Sequence, residues 1–219
     1  MRKQFDDYLR ELDRRLLNMA ASVEHIIAMS AKSIEEQNEA LAAQAIAYDS
    51  KINEDEKDIE RICLKCLLKH QPVVADDLRR VSAALKMISD MERIGDAAAD
   101  IAQLNKELIK QNARFDLSDI SEMARLSAKM VADSIDAYVK NDLQLAQDVV
   151  SEDEAVDGLF SGVKKKIIDG IADDRANGEK LADTLMTAKY FEKIGDHAVN
   201  IAEWVIFSIS GVHKQAKIM

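Results

Sequence analysis

The chain has 219 residues, a formal net charge of −10 and a pI near 5.0. That acidity argues against DNA or RNA as a partner, because phosphate binding draws on clustered Lys and Arg that release counterions, and Lys164-Lys165-Lys166 is the one basic triplet. One proline, seven glycines and few aromatics among abundant Ala, Leu, Ile, Lys, Glu and Asp predict long helices and an all-α fold rather than sheets.

Six helices can be placed from periodicity and breakers. The first covers about residues 3–37, with Leu9, Leu12, Leu16, Met19, Val23 and Ile26 to Ile27 as an apolar stripe. Asn38 is a good cap for the second, which runs to about residue 70 and must stop at Gln71-Pro72. Cys63 and Cys66 fall within it as a lone CxxC; without a βαβ context or further ligands they read as core-facing or half-buried thiols. Asp76 is available to cap the third helix, which ends near residue 112. Asp119 and Glu122 resemble a capping box for the fourth, ending near residue 140, and Asn141 is placed as the cap of the fifth, which reaches about residue 172. The polar stretch 173–178 precedes the sixth, which carries on to about residue 212.

The longest charge-free stretch, residues 204–213, is well short of the ~20 residues needed to cross a bilayer. The amino terminus alternates charge with apolar residues, unlike a signal peptide, so a cytoplasmic location is expected.

One motif is written twice. Glu92-Arg93-Ile94-Gly95-Asp96-Ala97-Ala98-Ala99-Asp100-Ile101-Ala102 returns one hundred residues later as Glu192-Lys193-Ile194-Gly195-Asp196-His197-Ala198-Val199-Asn200-Ile201-Ala202, identical at seven of eleven positions. Leu41-Ala42, Ile46, Asp49 and Ile52-Asn53 line up likewise with Leu145-Ala146, Val150, Asp153 and Val156-Asp157, at an offset of 104. The chain therefore reads as two tandem, similar three-helix bundles, residues 1–113 and 114–219, joined near residues 112–116.

On the third helix Ala84, Met87, Met91, Ile94, Ala98 and Ile101 step as a packing seam, repeated on the sixth by Thr187, Phe191, Ile194, Ala198 and Ile201. Glu92, Asp96 and Asp100 form a row at least ~100° around the helix from that seam. Glu192, Asp196 and Asn200 repeat the row, and the second and fifth helices supply helper rows, Asp49 with Asn53 and Asp153 with Asp157. Like charges four residues apart repel by a few tenths of a kcal/mol. Two converging rows per unit would offer enough oxygen donors for a hard cation such as Mg²⁺, Mn²⁺ or iron. Gly95 and Gly195, mid-helix at ~1 kcal/mol each relative to alanine, suggest close approach by another backbone.

A di-iron carboxylate enzyme would place His three residues after Glu, and none of His25, His70, His197 or His213 meets that spacing. His197 reads as a surface or packing residue. No nucleophile triad, phosphate loop or nucleotide fingerprint is present, so an enzyme is not expected.

The doubled Glu-Arg/Lys-Ile-Gly-Asp motif, the Asp-x-x-Ile/Val-Asn/Asp marks and the Lys69-His70-Gln71-Pro72 turn leading to Asp77-Leu78-Arg79 resemble the PhoU family of bacterial phosphate-uptake regulators over essentially the whole chain. The resemblance implies two three-helix bundles, a homodimer, and multinuclear iron or zinc, with manganese or magnesium as alternatives, held on Asp49, Asn53, Glu92, Asp96 and Asp100 and on Asp153, Asp157, Glu192, Asp196 and Asn200. Amides replace carboxylates at Asn53 and Asn200, so similar but unequal sites are expected. It also implies a negative regulator that contacts the ATPase of the phosphate ABC transporter and the phosphate-sensing histidine kinase at the inner face of the membrane. A metal-dependent helical-bundle enzyme and an accessory protein of a low-affinity phosphate carrier are the alternative readings. Trp204, Val205, Ile206 and Phe207 crowd one turn of the last helix, for inward packing with some surface left for an interface.

Overall fold

The computed structural model describes residues 2–69, 74–111, 118–173, 175–213 and 216–217. Its helices are α1 Arg2–Glu35, α2 Glu39–Lys69, α3 Ala75–Lys110, α4 Ser118–Lys140, α5 Leu143–Asp173 and α6 Gly178–Ser210, with one 3₁₀ turn, Arg175–Asn177, before the last. The all-helical expectation therefore holds, with a small addition: β1 Val212–His213 pairs antiparallel with β2 Ala216–Lys217. Gly211, at φ 76°, takes a left-handed conformation that ends α6 short of the expected residue 212. The expected Gln71-Pro72 stop and the join at 112–116 lie outside the described residues.

The duplication is visible in the turns. Gln37 and Asn141, 104 residues apart, both sit at φ 51°. The next residue caps the following helix in each unit: Leu41 N–H donates to Asn38 Oδ1 and Leu145 N–H to Asp142 Oδ1, both at 3.0 Å. Asp142, not Asn141, is thus the cap of α5, because Asn141 occupies the left-handed position where an amide side chain is tolerated. The cap expected from Asp76 is also absent. Val74, extended at φ −70° and ψ 146°, precedes α3 without a side-chain cap, and Asp76 pairs with Arg79 inside the first turn. Nor does a capping box form at α4, where Asp119 is drawn to Lys166 at 2.6 Å and Glu122 to Arg125 at 2.6 Å.

Within the first unit α1 and α3 run parallel, pinned by Arg80 on Asp13, by Ser30 Oγ donating to the Ala98 carbonyl at 2.7 Å, and by Asn105 Nδ2 donating to Ser33 Oγ at 2.8 Å. Helix α2 returns antiparallel, with Arg15 near Asp58 and His25 edge-on to Tyr48. The seam residues named above on α3 and α6 are buried throughout, which removes apolar area from water at ~25 cal/mol per Å².

The two units form one continuous core around the α3–α6 contact, the most extensive between helices. Asp90 meets Asn200, Asp100 meets Tyr190, and Glu107 lies near Asp183, so α3 and α6 cross antiparallel. Because the repeat offset here is one hundred, the first two pairs are equivalent, and the units are related by a pseudo-twofold. Helices α1 and α4 pack on each other behind this pair, where the Tyr138 hydroxyl donates to the Arg80 carbonyl at 3.1 Å and its ring lies under the Arg80 guanidinium.

Candidate metal centres on the acidic face

The acidic rows sit where helix geometry predicts. Ala98 and Asn105 bind α1, and at ~100° per residue Asp96 lies about 160° around α3 from Ala98. Asp96, Asp100 and Asp196 are exposed, while Glu92, Glu192 and Asn200 are half-buried. Each main row therefore lines a groove on the face that α1 and α4 leave open.

The helper rows do converge on the main rows. In the first unit Asp49 is raised above its ordinary value by burial and by Asp96 and Asp100, with the Asn53 hydrogen bond opposing. Glu92 is raised by burial and by Asp96, Glu56 and Asp49. In the second unit burial, Asp157, Asp196 and Glu192 push Asp153 up to about 6. Burial and Glu192 raise Asp196, with Lys189 opposing. These carboxylates feel one another through partly dry surroundings, so their mutual repulsion is only partly offset by Arg93 in the first unit and Lys189 in the second.

One oxygen in each unit carries the strongest sign of an unfilled role. Asp49 Oδ1 and Asp153 Oδ1, equivalent under the duplication, are both buried with no hydrogen-bond partner. Such atoms are rare because an unsatisfied buried acceptor costs ~1–3 kcal/mol. The repeated glycines make room for them: a Cβ on Gly95 would lie 3.2 Å from Asp49 Oδ1 and 2.9 Å from Ile52 Cδ1, and one on Gly195 would lie 3.2 Å from Asp153 Oδ1. The close approach is thus by side chains of α2 and α5, and not by another backbone.

The two amides behave differently. Asn53 Nδ2 donates to Asp49 Oδ2 at 2.8 Å, orienting that carboxylate so that its other oxygen faces Gly95. Asn200 Nδ2 reaches Asp90 Oδ1 at 3.4 Å across the unit boundary, which draws the side chain out of its row. His197 is more than a packing residue, since its Nδ1 lies 2.9 Å from the same Asp90 oxygen. Asp100 is likewise shared, lying close enough to the Tyr190 phenol to raise it above its ordinary value after burial.

Glu56 stands beside the first acidic row, a candidate that sequence spacing passed over. It lies close enough to Glu92 to raise it and accepts from Ser89 Oγ at 3.3 Å. Its position, seven residues after Asp49 on α2, was the available signal. In the second unit Phe160 and Lys189 replace Glu56 and Ser89, and Lys189 lies over the Phe160 ring while pairing with Glu192. The first groove is consequently more acidic, and the second carries its own cation.

The donors are all oxygen, a set that suits hard cations. Among the described residues no three His, Cys, Asp or Glu side chains enclose a single point as a closed cage would. Two acidic grooves, each with one orphaned oxygen at its base, describe the sites as they stand.

Known proteins resemble this chain in sequence and in fold. The PhoU domain family model matches residues 16–104 and 120–205, one copy per unit. The phosphate-specific transport system accessory protein PhoU homolog of Clostridium acetobutylicum is 33% identical over 210 residues, covering 96% of each chain. The Escherichia coli accessory protein PhoU is 28% identical, over 95% of this chain and 86% of its own. The crystal structure of PhoU from Pseudomonas aeruginosa superposes with a TM-score of 0.91 at 28% identity, over 95% of this chain and all of that one, and the Streptococcus pneumoniae structure with 0.86 at 27% over 95% and 98%. With a doubled acidic motif, two matching units and likeness along the whole chain, the protein belongs to the PhoU family.

Proposed function

We propose that this protein is a regulator of phosphate uptake and of phosphate-starvation signalling, a cytoplasmic metal-binding adaptor that restrains the response when phosphate is plentiful. Full-length likeness to accessory proteins of the phosphate-specific transport system, in both units at once, is the observation that carries the reading. The proposed partners are the ATPase of the phosphate ABC transporter and the phosphate-sensing histidine kinase, with the regulator acting as a homodimer without catalysing a reaction. No described helix is long and apolar enough to cross a membrane, which suits docking on the inner-face domains of membrane proteins.

In this reading Asp49, Glu56, Glu92, Asp96 and Asp100 would hold metal in the first groove, and Asp153, Asp157, Glu192 and Asp196 in the second. The cation's charge would relieve the mutual repulsion of the rows and satisfy the orphaned oxygens of Asp49 and Asp153. Oxygen-only donors favour iron or manganese over zinc, whose structural sites draw on Cys and His.

Two measurements test the two halves of the proposal. Alkaline phosphatase expression in phosphate-replete cells lacking this gene should rise, and unchanged repression in a strain without a second copy would refute the regulatory role. Metal content of protein purified without chelators should fall in Asp96→Ala and Asp196→Ala variants, and equal metal in wild type and the double variant would refute the metal role.

A further inference from the structure

Duplication gives this chain a pairing problem. The seams of α3 and α6 are identical at Ile94, Ala98 and Ile101 against Ile194, Ala198 and Ile201, so α1 and α4 each meet two closely similar partners. Apolar burial is non-directional, and cores tolerate hydrophobic exchange, so burial discriminates weakly between such surfaces.

One level of the first unit is built differently from the second. Ser30, Ser33 and Asn105 are fully buried there. Asn105 Nδ2 donates to the Ser30 carbonyl and to Ser33 Oγ, each at 2.8 Å, and Ser30 Oγ donates to the Ala98 carbonyl at 2.7 Å, so side chains tie α1 to α3 three times. By the repeat offsets Val205 stands for Asn105 and Ala137 for Ser33, both fully buried. Ser134, the counterpart of Ser30, donates at 2.7 Å to the Val131 carbonyl of its own helix. The polar level is not a gain in packing, because Asn105 Oδ1 is buried with no hydrogen-bond partner, which costs stability.

We propose that Ser33 and Asn105 form a pairing key, which commits α1 to α3 and keeps α4 for α6, both within one chain and between two copies. If α4 packed on α3, Ala137 would replace the Ser33 hydroxyl and one buried amide hydrogen of Asn105 would lose its acceptor. If α1 packed on α6, Ser33 would meet Val205, which has nothing to donate. The native pairing wins by the difference, since an unmatched buried amide costs more than a matched one. A single buried Asn that fixes partner and register in a coiled coil works in the same way. A second copy offers the same wrong seam, so the key also guards against helices exchanged between chains.

Disulfide trapping in the full-length chain tests this, with Cys63→Ala and Cys66→Ala to clear the native thiols and Asp13→Cys, Arg80→Cys and Lys180→Cys as reporters. Asp13 pairs with Arg80 in the native contact, and Lys180 stands for Arg80 in the second unit. A 13–80 bridge therefore reports α1 on α3, and a 13–180 bridge, within a chain or between two, reports α1 on α6. The chain is refolded from urea under oxidising conditions and its bridges are counted by peptide mapping. With the key intact the 13–80 bridge should dominate. Ser33→Ala with Asn105→Val, which leaves both units apolar, should raise the 13–180 share roughly fivefold or more, the factor set by one unmade buried hydrogen bond. Ala137→Ser with Val205→Asn, which gives both units the key, should raise it as well and leaves the first unit intact, so the test stands even where the apolar chain does not fold. All four substitutions together move the key to the second unit and should restore fidelity. An unchanged 13–180 share when the units are made alike would overturn the proposal, as would a four-substitution chain no more faithful than the chain with two keys.

Discussion

Asp153→Asn is the sharpest perturbation of the acidic grooves. Burial and the carboxylates of Asp157, Asp196 and Glu192 move Asp153 from 3.8 to about 6, so the folded protein favours the protonated form. A raised acid costs stability where it must ionise: the cost is absent below the unfolded value, grows as pH rises from about 4 to about 6, and is full at neutral pH. A shift of roughly two units corresponds to ~3 kcal/mol, which water contact around this half-buried side chain reduces to about 1 kcal/mol. In chelator at pH 7.5 the variant should therefore be about 1 kcal/mol more stable than wild type in urea unfolding followed by helical circular dichroism, a rise of ~2–4 °C in Tm. The advantage should fade as pH is lowered towards 4.5. Excess Mn²⁺ or iron should shrink or reverse it, because wild type gains binding free energy that the variant partly lacks. A variant no more stable than wild type in chelator, or an advantage that does not change with pH, would refute the account of this groove.

Other expectations follow from single residues. Gly95→Ala should be about 1 kcal/mol less stable than Gly195→Ala, because its Cβ meets fully buried Ile52 at 2.9 Å, whereas at Gly195 the first apolar neighbour, Val156, is 3.6 Å away; thermal melts of the two variants would show it. Cys63, pushed up to about 12 by burial, and the equally buried Cys66 should resist iodoacetamide at pH 8 until the chain is unfolded, as intact-mass spectrometry can follow. Tyr138→Phe should cost about 1 kcal/mol in urea unfolding by removing the hydroxyl's hydrogen bond to the Arg80 carbonyl. Metal titrated into stripped protein should enter the first groove before the second, and Lys189→Ser should narrow the gap, read by comparing Asp96→Ala and Asp196→Ala backgrounds.

Much of this protein is determined locally and is therefore legible in the chain. Helix extent follows from periodicity and breakers, and the packing seams follow from three- and four-residue steps that only a helix turns into one face. The duplication and the outward placement of Glu92, Asp96 and Asp100 follow from the same helical arithmetic. Caps were legible in part: Asn38 was, while the α5 cap fell one residue off because Asn141 and Asp142 are both good candidates, and the turn's left-handed residue chose between them.

What local pattern could not contain is anything that depends on a second helix arriving. The orphaned oxygens of Asp49 and Asp153 exist only because α2 and α5 press their side chains against Gly95 and Gly195. Glu56 joins the first groove, and Lys189 alters the second, through neighbours from another helix. Asn200 and His197 turn to Asp90 because α3 and α6 cross antiparallel, a register set by long-range packing of both seams. Sequence alone thus determined the helices, their faces and the repeat. Tertiary packing decided which charges meet and which oxygens are left unsatisfied, because those properties belong to pairs of helices and not to any one of them.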